Sequence, residues 1–530
     1  MSPDGRMLAF VRGRDPFLFG ASELYVKLLP DGQPVALTHD ATPKMAPTFT
    51  PDGANIVFTD SDGWSSFSVP VAGGTPALFM PHAAGLRWIA AGQVLFSELR
   101  RPPNMSVVTA TESRGQPRDV YVPASPQGMA HFTERSPDGK WVLVVEMDTN
   151  AWMPCRLVPF DGSSAGRRVG PPGAECTSAT WSPDGRWMYF AAGVNNESHL
   201  WRQRVPDGVP EQLTSGTSQE RGVVVDRDGR SVITAVGAAQ SVVWYHDEAG
   251  ERPVSTEGYA YRPLVSPDGR RVFYLIRREA RRSFSIGELW ATDLVTGRNE
   301  RILQEFLVRS YDISSDGKTV VFDAFDETDR SRMWLAPTDR SAAPRRLTPD
   351  GPVEEQRPFF GSSGDIYFMR EEPSRRPSLY RMSPDGSTRQ KKSDDVTFLI
   401  SVSPDEHWAA VWDGGTTRLL SLVDGASRTL CSCSTGPIFP DSPRVRWSGD
   451  GQTLFVNLGY ADEPGGGTVM IPWRGADSVA AGVSRAPADL RKRAGTRLLG
   501  ESSVAPGPTG ARYAFARQAE QSNLYRIQLP

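Results

Sequence analysis

A Ser-Pro-Asp-Gly run that leads directly into an apolar segment recurs along the whole chain. No other feature restricts the fold as strongly. Copies with Pro-Asp-Gly intact open at Ser2, Thr50, Ser136, Ser182 and Ser266. Looser copies end at Gly229, Gly317, Gly364, Glu406 and Gly451, and degenerate ones lie near Gly92 and Gly510, making twelve. Most are roughly 40–48 residues apart, which is the signature of a repeat array.

The motif is turn chemistry. Proline presets φ for the first turn position, aspartate accepts hydrogen bonds from the backbone that follows, and glycine takes the positive φ that closes the turn. Asp4, Gly5, Asp52, Gly53, Asp138, Gly139, Asp184, Gly185, Asp268 and Gly269 therefore read as turn residues, not as acids or ligands.

An apolar strand follows each copy ("NIVFTD", "RWMYFA", "RRVFYLI"), and a second comes later ("FSVPVAG", "HLWRQRV", "ELWATDL"). Many of these run through a turn into a third strand ("QPVALT", "PRRLT"), and a fourth precedes each motif ("APTFT", "TSATW"). A four-stranded unit of about 40–45 residues cannot cover both of its faces, but units stacked radially cover one another. The 50 Gly and 44 Pro of the 530 residues suit such short strands and tight turns. The expected fold is all-β: two tandem β-propellers of about twelve four-stranded blades. Six plus six is preferred, with 1–257 as the first propeller and 258–530 as the second; seven plus five is the alternative. The first unit lacks a strand ahead of its motif and the last lacks a final strand, so a longer parent chain is expected.

The repeats resemble TolB-type, WD-like β-propeller repeats over essentially the whole chain. They depart from the eukaryotic WD pattern: no Gly-His pair occurs, and the one Trp-Asp is Trp412-Asp413. They also depart from TolB, which has a small domain ahead of a propeller half this length. Phrases such as "ELYVKLLPDGQPVALTHD" and "CRLVPFDGSSAG" look closest to the arrays that follow the catalytic domain of bacterial serine/threonine kinases; similar arrays follow winged-helix regulators. The resemblance implies a bacterial sensing or protein-docking part, without a catalytic domain of its own.

Other motifs are weak. Gly162-Ser163-Ser164-Ala165-Gly166 matches a hydrolase elbow, but "RRVGPPGAE" follows it and is no helix start. This bears on the alternative reading, the propeller part of a prolyl-oligopeptidase-like peptidase, which needs an α/β domain for which no residues remain. Gly317-Lys318-Thr319 lacks the upstream glycine of a phosphate loop. Asp60–Gly63 has too few carboxylates for a calcium loop. His39, His82, His131, His199, His246 and His407 are scattered singly, so no metal or other cofactor is expected, and a propeller enzyme with a metal at its channel mouth is disfavoured. A net charge of −3 gives no field for nucleic acid. The arginine runs at 277–282 and 491–493 lack the interleaved aromatics of single-strand binders. No apolar run is long enough for a membrane span, and residues 1–30 lack a signal-peptide core. The compartment stays open. The four cysteines, Cys155, Cys176, Cys431 and Cys433, read as ordinary thiols, with a Cys155–Cys176 bridge as the alternative.

One constellation points to ligand binding. Four residues before the first motif position, three units of the second half carry Arg262, Arg357 and Arg444. Equivalent positions in blades reach equivalent places around a ring, so three guanidiniums are expected to converge on a channel mouth. Their planar forks suit carboxylate or phosphate. The expected partner is a protein, an acidic peptide or a small anion. The competing expectation is that each arginine pairs with a neighbouring blade's carboxylate or stacks on a ring.

Overall fold

The computed structural model describes the chain apart from residues 14–21, 41, 62, 102–103, 126–127, 149–150, 195–196, 217, 257, 278–285, 329, 373–375, 395, 414–415, 432–444, 459–465, 477–486 and 503. The described residues are almost entirely strand and turn, with one helical turn at Pro487–Leu490. They form two compact units. One holds Met1–Ala239 and Glu520–Pro530, and the other most of the stretch from Gln240 to Ala519.

The motif does what its residue types require. In the turn at Ser182, the Ser182 hydroxyl donates to Asp184 at 2.6 Å and accepts the Trp187 N–H at 2.9 Å. Asp184 accepts the Arg186 N–H at 3.0 Å, and the Gly185 N–H closes on the Ser182 carbonyl at 2.9 Å. The hydroxyl bonds of Asp4, Asp52, Asp138 and Asp268 are also 2.6 Å. Gly5, Gly53, Gly139, Gly185 and Gly269 have φ between 68° and 75°. The hydroxyl two residues earlier is the chief reason the Asp4, Asp52, Asp138 and Asp184 carboxyls sit below the usual carboxylate range.

In the first unit, five antiparallel blade sheets follow in chain order, the first of three strands and the others of four main strands; the third and fourth are joined into one nine-stranded sheet by a parallel pair at Met105 and Met129. The strands that precede the turns, here called inner strands, are Lys44–Phe49, Ala83–Ala90, Met129–Arg135, Glu175–Trp181 and Gln219–Val225. The last of these begins a sixth sheet. Apolar clusters seal neighbouring sheets: Leu24, Phe49, Ile56 and Phe58 between the first two, and Leu143, Trp152, Leu157, Met188 and Phe190 between the fourth and fifth. The Cys155–Cys176 disulfide lies within the latter core. Cys431 is disulfide-bonded as well, so these three cysteines are not the ordinary thiols expected from the sequence; Cys433 lies outside the described residues. The turns also pack on one another. A Cβ on Gly53 would stand 3.7 Å from Pro3, one on Gly185 3.6 Å from Pro137, and one on Gly229 3.5 Å from Pro183. A Cβ on Gly5 would stand 3.6 Å from Arg227, which holds the proline position of the sixth turn, so sixth and first turns meet.

In the second unit the inner strands are Tyr259–Val265, Ser310–Ile313, Glu354–Phe360, Phe398–Val402, Val445–Trp447 and Ala505–Pro506. From Ser310–Ile313 onward each packs against the next, and Ala505–Pro506 packs back on Tyr259–Val265. A Cβ on Gly269 would stand 3.2 Å from Pro508, closing the turns in the same sense. Each unit is a β-propeller whose inner strands surround an axis.

The change of unit falls inside continuous strands, not in the loop near residue 257 where the sequence places it. Strand Ser231–Asp247 begins in the first unit and continues beyond Gln240 in the second, and strand Tyr513–Gln528 returns after Ala519. The sixth sheet of the first unit therefore takes a strand from the C-terminal segment. There the Leu529 N–H bonds the Arg230 carbonyl at 2.8 Å, the Arg526 guanidinium holds Asp226, and Ile527 and Leu529 pack on Leu200 and Val232. In the second unit the closing sheet takes residues 240–247, where His246 stacks on Tyr513 at 4.5 Å and Arg512 meets Glu248 at 3.0 Å. The final strand that appears missing from the sequence of the last repeat is supplied by Gly250–Pro253, which pairs with Trp244–Asp247.

Candidate functional site

The site begins with a bulge. Most inner strands slip register near the residue four places before the turn. At that place Ala46, Gly85, Gly222, Arg262 and Arg357 have φ of 51°, 61°, 73°, 51° and 57°. Glycine adopts this left-handed conformation freely; a residue with a long side chain gives up about 1 kcal/mol to do so. The first unit puts only glycine or alanine at these left-handed positions. The second puts arginine there twice.

Arg262 is buried, at 8% exposure, and its guanidinium donates to the Arg309 carbonyl; the Arg262 carbonyl accepts the Tyr311 hydroxyl at 2.6 Å. Arg357 lays its guanidinium over Phe398 on the next inner strand. Its strained backbone is held by Asp323, which accepts the Arg357 N–H at 3.4 Å. The other contacts of Asp323 are the Ser310 hydroxyl and, at 2.9 Å, the Ser331 hydroxyl, so this carboxylate anchors backbone and hydroxyls and not a guanidinium. Arg444 lies outside the described residues. The stacking half of the competing expectation thus holds for Arg357, and the carboxylate half does not.

The structure adds two arginines that the motif register did not select. Arg309 immediately precedes its inner strand, and Arg446 lies two residues before the turn at Ser448. Asp312 holds the same place two residues before the turn at Ser314, and Arg446 and Asp312 sense each other electrostatically. Among the described residues the guanidiniums of Arg309, Arg357 and Arg446 make no side-chain hydrogen bond and no ion pair; Arg309 and Arg357 have only the rings of Phe325 and Phe398. Nε of Arg357 and of Arg446 is buried without a hydrogen-bond partner. Elsewhere in the unit arginines are paired, as in Arg332–Asp326 at 2.6 Å and Arg381–Asp365 at 2.6 Å.

The electrostatics follow from crowding of like charge out of water. Burial, then Arg309 and Arg262, drive the Arg357 pKa well down, with only Asp323 opposing. Burial also lowers Arg446, against Asp312 and Tyr311. Burial raises Asp312 to about 6, although Arg446 and the Phe360 N–H, at 2.9 Å, favour its anion. Glu371 senses Arg309, and burial and Glu354 push its carboxyl up. Arg357 thus senses the Asp323 carboxylate, and Arg446 senses Asp312. The axis of the first unit is different. Arg87 there is balanced by Glu134, which takes a hydrogen bond from Thr180.

The remaining sequence motifs fall at turns or strand ends. Gly162–Gly166 connects the paired strands Arg156–Pro159 and Arg167–Arg168. Gly317 closes the turn before strand Thr319–Phe325. Arg277 lies over Tyr259 at 4.6 Å, with residues 278–282 outside the described set. Arg491 donates to the Gly466 carbonyl at 2.8 Å, and Lys492 pairs with Asp489 at 3.0 Å. Among the described residues no three His, Cys, Asp or Glu side chains are grouped to hold a metal ion, and no helix is long and apolar enough to cross a membrane.

No protein-family model matches the chain, and no curated protein matches its sequence. Similar solved structures include the tricorn protease, at 12% identity over 89% of this chain and 56% of that one, with a TM-score of 0.30. A putative TolB from Agrobacterium tumefaciens aligns at 19% identity over 52% of this chain and 83% of that one, TM-score 0.22. A chain of the nidogen/laminin complex aligns at 12% identity over 44% of this chain and 89% of that one, TM-score 0.33. The chain thus spans little more than half the length of the tricorn protease structure. Likenesses of this size define neither a family nor a function, and the fold stands on the strand order and closing contacts above.

Proposed function

We propose that the chain is a non-catalytic β-propeller binding module, the C-terminal sensing or docking part of a larger bacterial signalling protein of the kinase-linked or winged-helix kind. The observation that carries the binding role is that Arg357 and Arg446, on inner strands of the second unit, make no side-chain hydrogen bond or ion pair among the described residues. Two of the arginines around this axis are held there at a backbone cost that glycine would avoid. Such strain persists where the side chain is needed, and desolvated charge calls for a counter-charge. The signalling context is supported by the resemblance of the repeats to kinase-linked arrays. The alternative, a propeller portion of a peptidase, has no further observation in its favour.

The test is affinity capture from bacterial extract with the purified chain and its Arg357→Gly variant, combined with an assay on chromogenic peptidyl substrates. Capture of a partner or native-mass-spectrometry detection of a bound ligand, lost in the variant, supports the reading. Peptide hydrolysis by the homogeneous chain overturns it.

A further inference from the structure

Both units carry oxidised cysteine. Cys155 stands immediately before strand Arg156–Pro159 of the fourth sheet, and Cys176 lies in the inner strand Glu175–Trp181 of the fifth. Their bridge spans 21 residues of chain and joins Cα atoms 5.4 Å apart, so it ties two adjacent blades and not two strands of one. In the second unit Cys431, the last residue of strand Ser427–Cys431, is disulfide-bonded too. No described cysteine is a free thiol.

Burial decides what kind of bridge joins the blades. Cys155 is 0% exposed and Cys176 2%, within the core that holds Leu143, Trp152, Leu157, Met188 and Phe190. The backbone beside them is bonded: the Val169 N–H donates to the Cys155 carbonyl at 2.8 Å, and the Cys176 N–H to the Met153 carbonyl at 3.2 Å. Thiol–disulfide exchange requires a thiolate to reach a sulfur, and cysteines that sense redox state are accordingly exposed. Here a reductant reaches sulfur only when the fourth and fifth blades part. By the same geometry an oxidant reaches the two thiols only before those blades close. The bridge is a staple set during folding, not a switch worked in the folded chain.

Its formation is two exchanges. One cysteine thiolate attacks the disulfide of a donor protein, which gives a mixed disulfide and one donor thiolate. The other cysteine thiolate attacks the mixed disulfide, closes Cys155–Cys176 and releases the donor as a dithiol. Two electrons and the two cysteine protons pass to the donor. Glutathione and thioredoxin keep thiols reduced in the cytosol, so stable bridges of this kind belong to compartments beyond it. We propose that the two propellers fold and bind on the outer side of the cytoplasmic membrane, where a protein disulfide donor closes Cys155–Cys176 as the fourth and fifth blades assemble. This step rests on the docking reading above and restricts the partner to extracytoplasmic molecules.

The experiment traps thiols in the source bacterium. Cells are quenched in acid, denatured and alkylated with iodoacetamide before and after reduction, and the cysteine peptides are read by mass spectrometry. A parallel sample receives an amine-reactive biotin reagent that does not cross the cytoplasmic membrane, which the exposed Lys140 and Lys492 can take up. Expected are peptides of Cys155 and Cys176 that alkylate only after reduction, and biotin on the chain in intact cells whose outer envelope has been opened. In reduced glutathione the purified folded chain should lose the bridge more slowly than the same chain in urea, by a factor on the order of ten or more. Free thiols at Cys155 and Cys176 in the quenched cells overturn the proposal. So does biotin labelling that appears only once the cytoplasmic membrane is broken, or equal rates of reduction with and without urea. None of these results depends on binding, so the docking reading is judged separately by capture with Arg357→Gly.

Discussion

The guanidinium carbon of Arg357 lies 3.5 Å from the centre of the Phe398 ring, across the gap between two adjacent inner strands of the second propeller. Arginine over an aromatic face contributes on the order of 0.5–2 kcal/mol, which here partly offsets the burial of an unpaired charge and the cost of φ at 57°. Stacking takes up the face of the guanidinium and leaves its N–H edge unbonded.

Alanine and glycine at 357 separate these terms. Both remove the stack and the charge, but only glycine relieves the left-handed backbone. Arg357→Gly is expected to be more stable than Arg357→Ala by about 1 kcal/mol in urea unfolding. Equal stability of the two would show that the backbone at 357 carries no strain.

Asp312 gives the second propeller a pH dependence. Its carboxyl is pushed up from 3.8 to about 6, chiefly by burial. The folded state therefore holds this proton more tightly than the unfolded chain, and the stability involved is present below about 4 and lost as pH rises to about 6. Asp312→Asn removes the titration. The difference in unfolding free energy between variant and parent should grow in the variant's favour between pH 4 and 6, by an amount on the order of 2 kcal/mol, and then level off. A flat difference across that window contradicts the account.

Within the turns, the hydroxyl and the glycine are separable. Ser182→Ala loses both its bond to Asp184 and its acceptance of the Trp187 N–H, and is expected to cost about 1–2 kcal/mol. Gly185→Ala meets φ at 68° and is expected to cost about 1 kcal/mol. Thermal melting of the two variants checks both. A cost near zero for either would mean that the motif is decoration.

Truncation after Ala519 removes the strand that completes the sixth sheet of the first unit. Ile527 and Leu529 then no longer cover Leu200 and Val232, a loss of about 3 kcal/mol for two partly buried side chains before strand pairing is counted. Hydrogen exchange should show protection lost around Gln219–Val225 and Ser231–Ile233, with the inner strands of the second unit unchanged. Unchanged exchange in Gln219–Val225 would show that the C-terminal strand does not support that sheet.

The repeated turn was legible because its residue types have mechanical reasons to recur, and from it followed the strands and the propeller architecture. The path of the chain between the units was harder to read. "RSVITAV" and "SVVWYHD" look like two strands of one hairpin, as do "ARYAFA" and "NLYRIQL", yet each pair is one continuous strand. The signal was scarce turn chemistry: Gln518-Ala519-Glu520-Gln521 contains no glycine, proline, asparagine or aspartate, and Gly237-Ala238-Ala239-Gln240 has one glycine and none of the others. Register alone puts Arg262 and Arg357 at equivalent inner-strand positions, because a bulge four residues before the turn repeats from blade to blade. Arg446 was missed because two residues before the turn is also an axial position, as its equivalent Asp312 and the first unit's Arg87 and Glu134 show. That Arg309 joins this group depends on packing between neighbouring sheets, which no single repeat encodes.

The most direct test of the binding account is a crystal of the full chain soaked in sodium selenate and measured at the selenium edge. The account predicts an anomalous peak beside the guanidinium of Arg357, absent from crystals of Arg357→Gly. Selenate confined to the molecular surface, with only water at the axis of the second propeller, would contradict it.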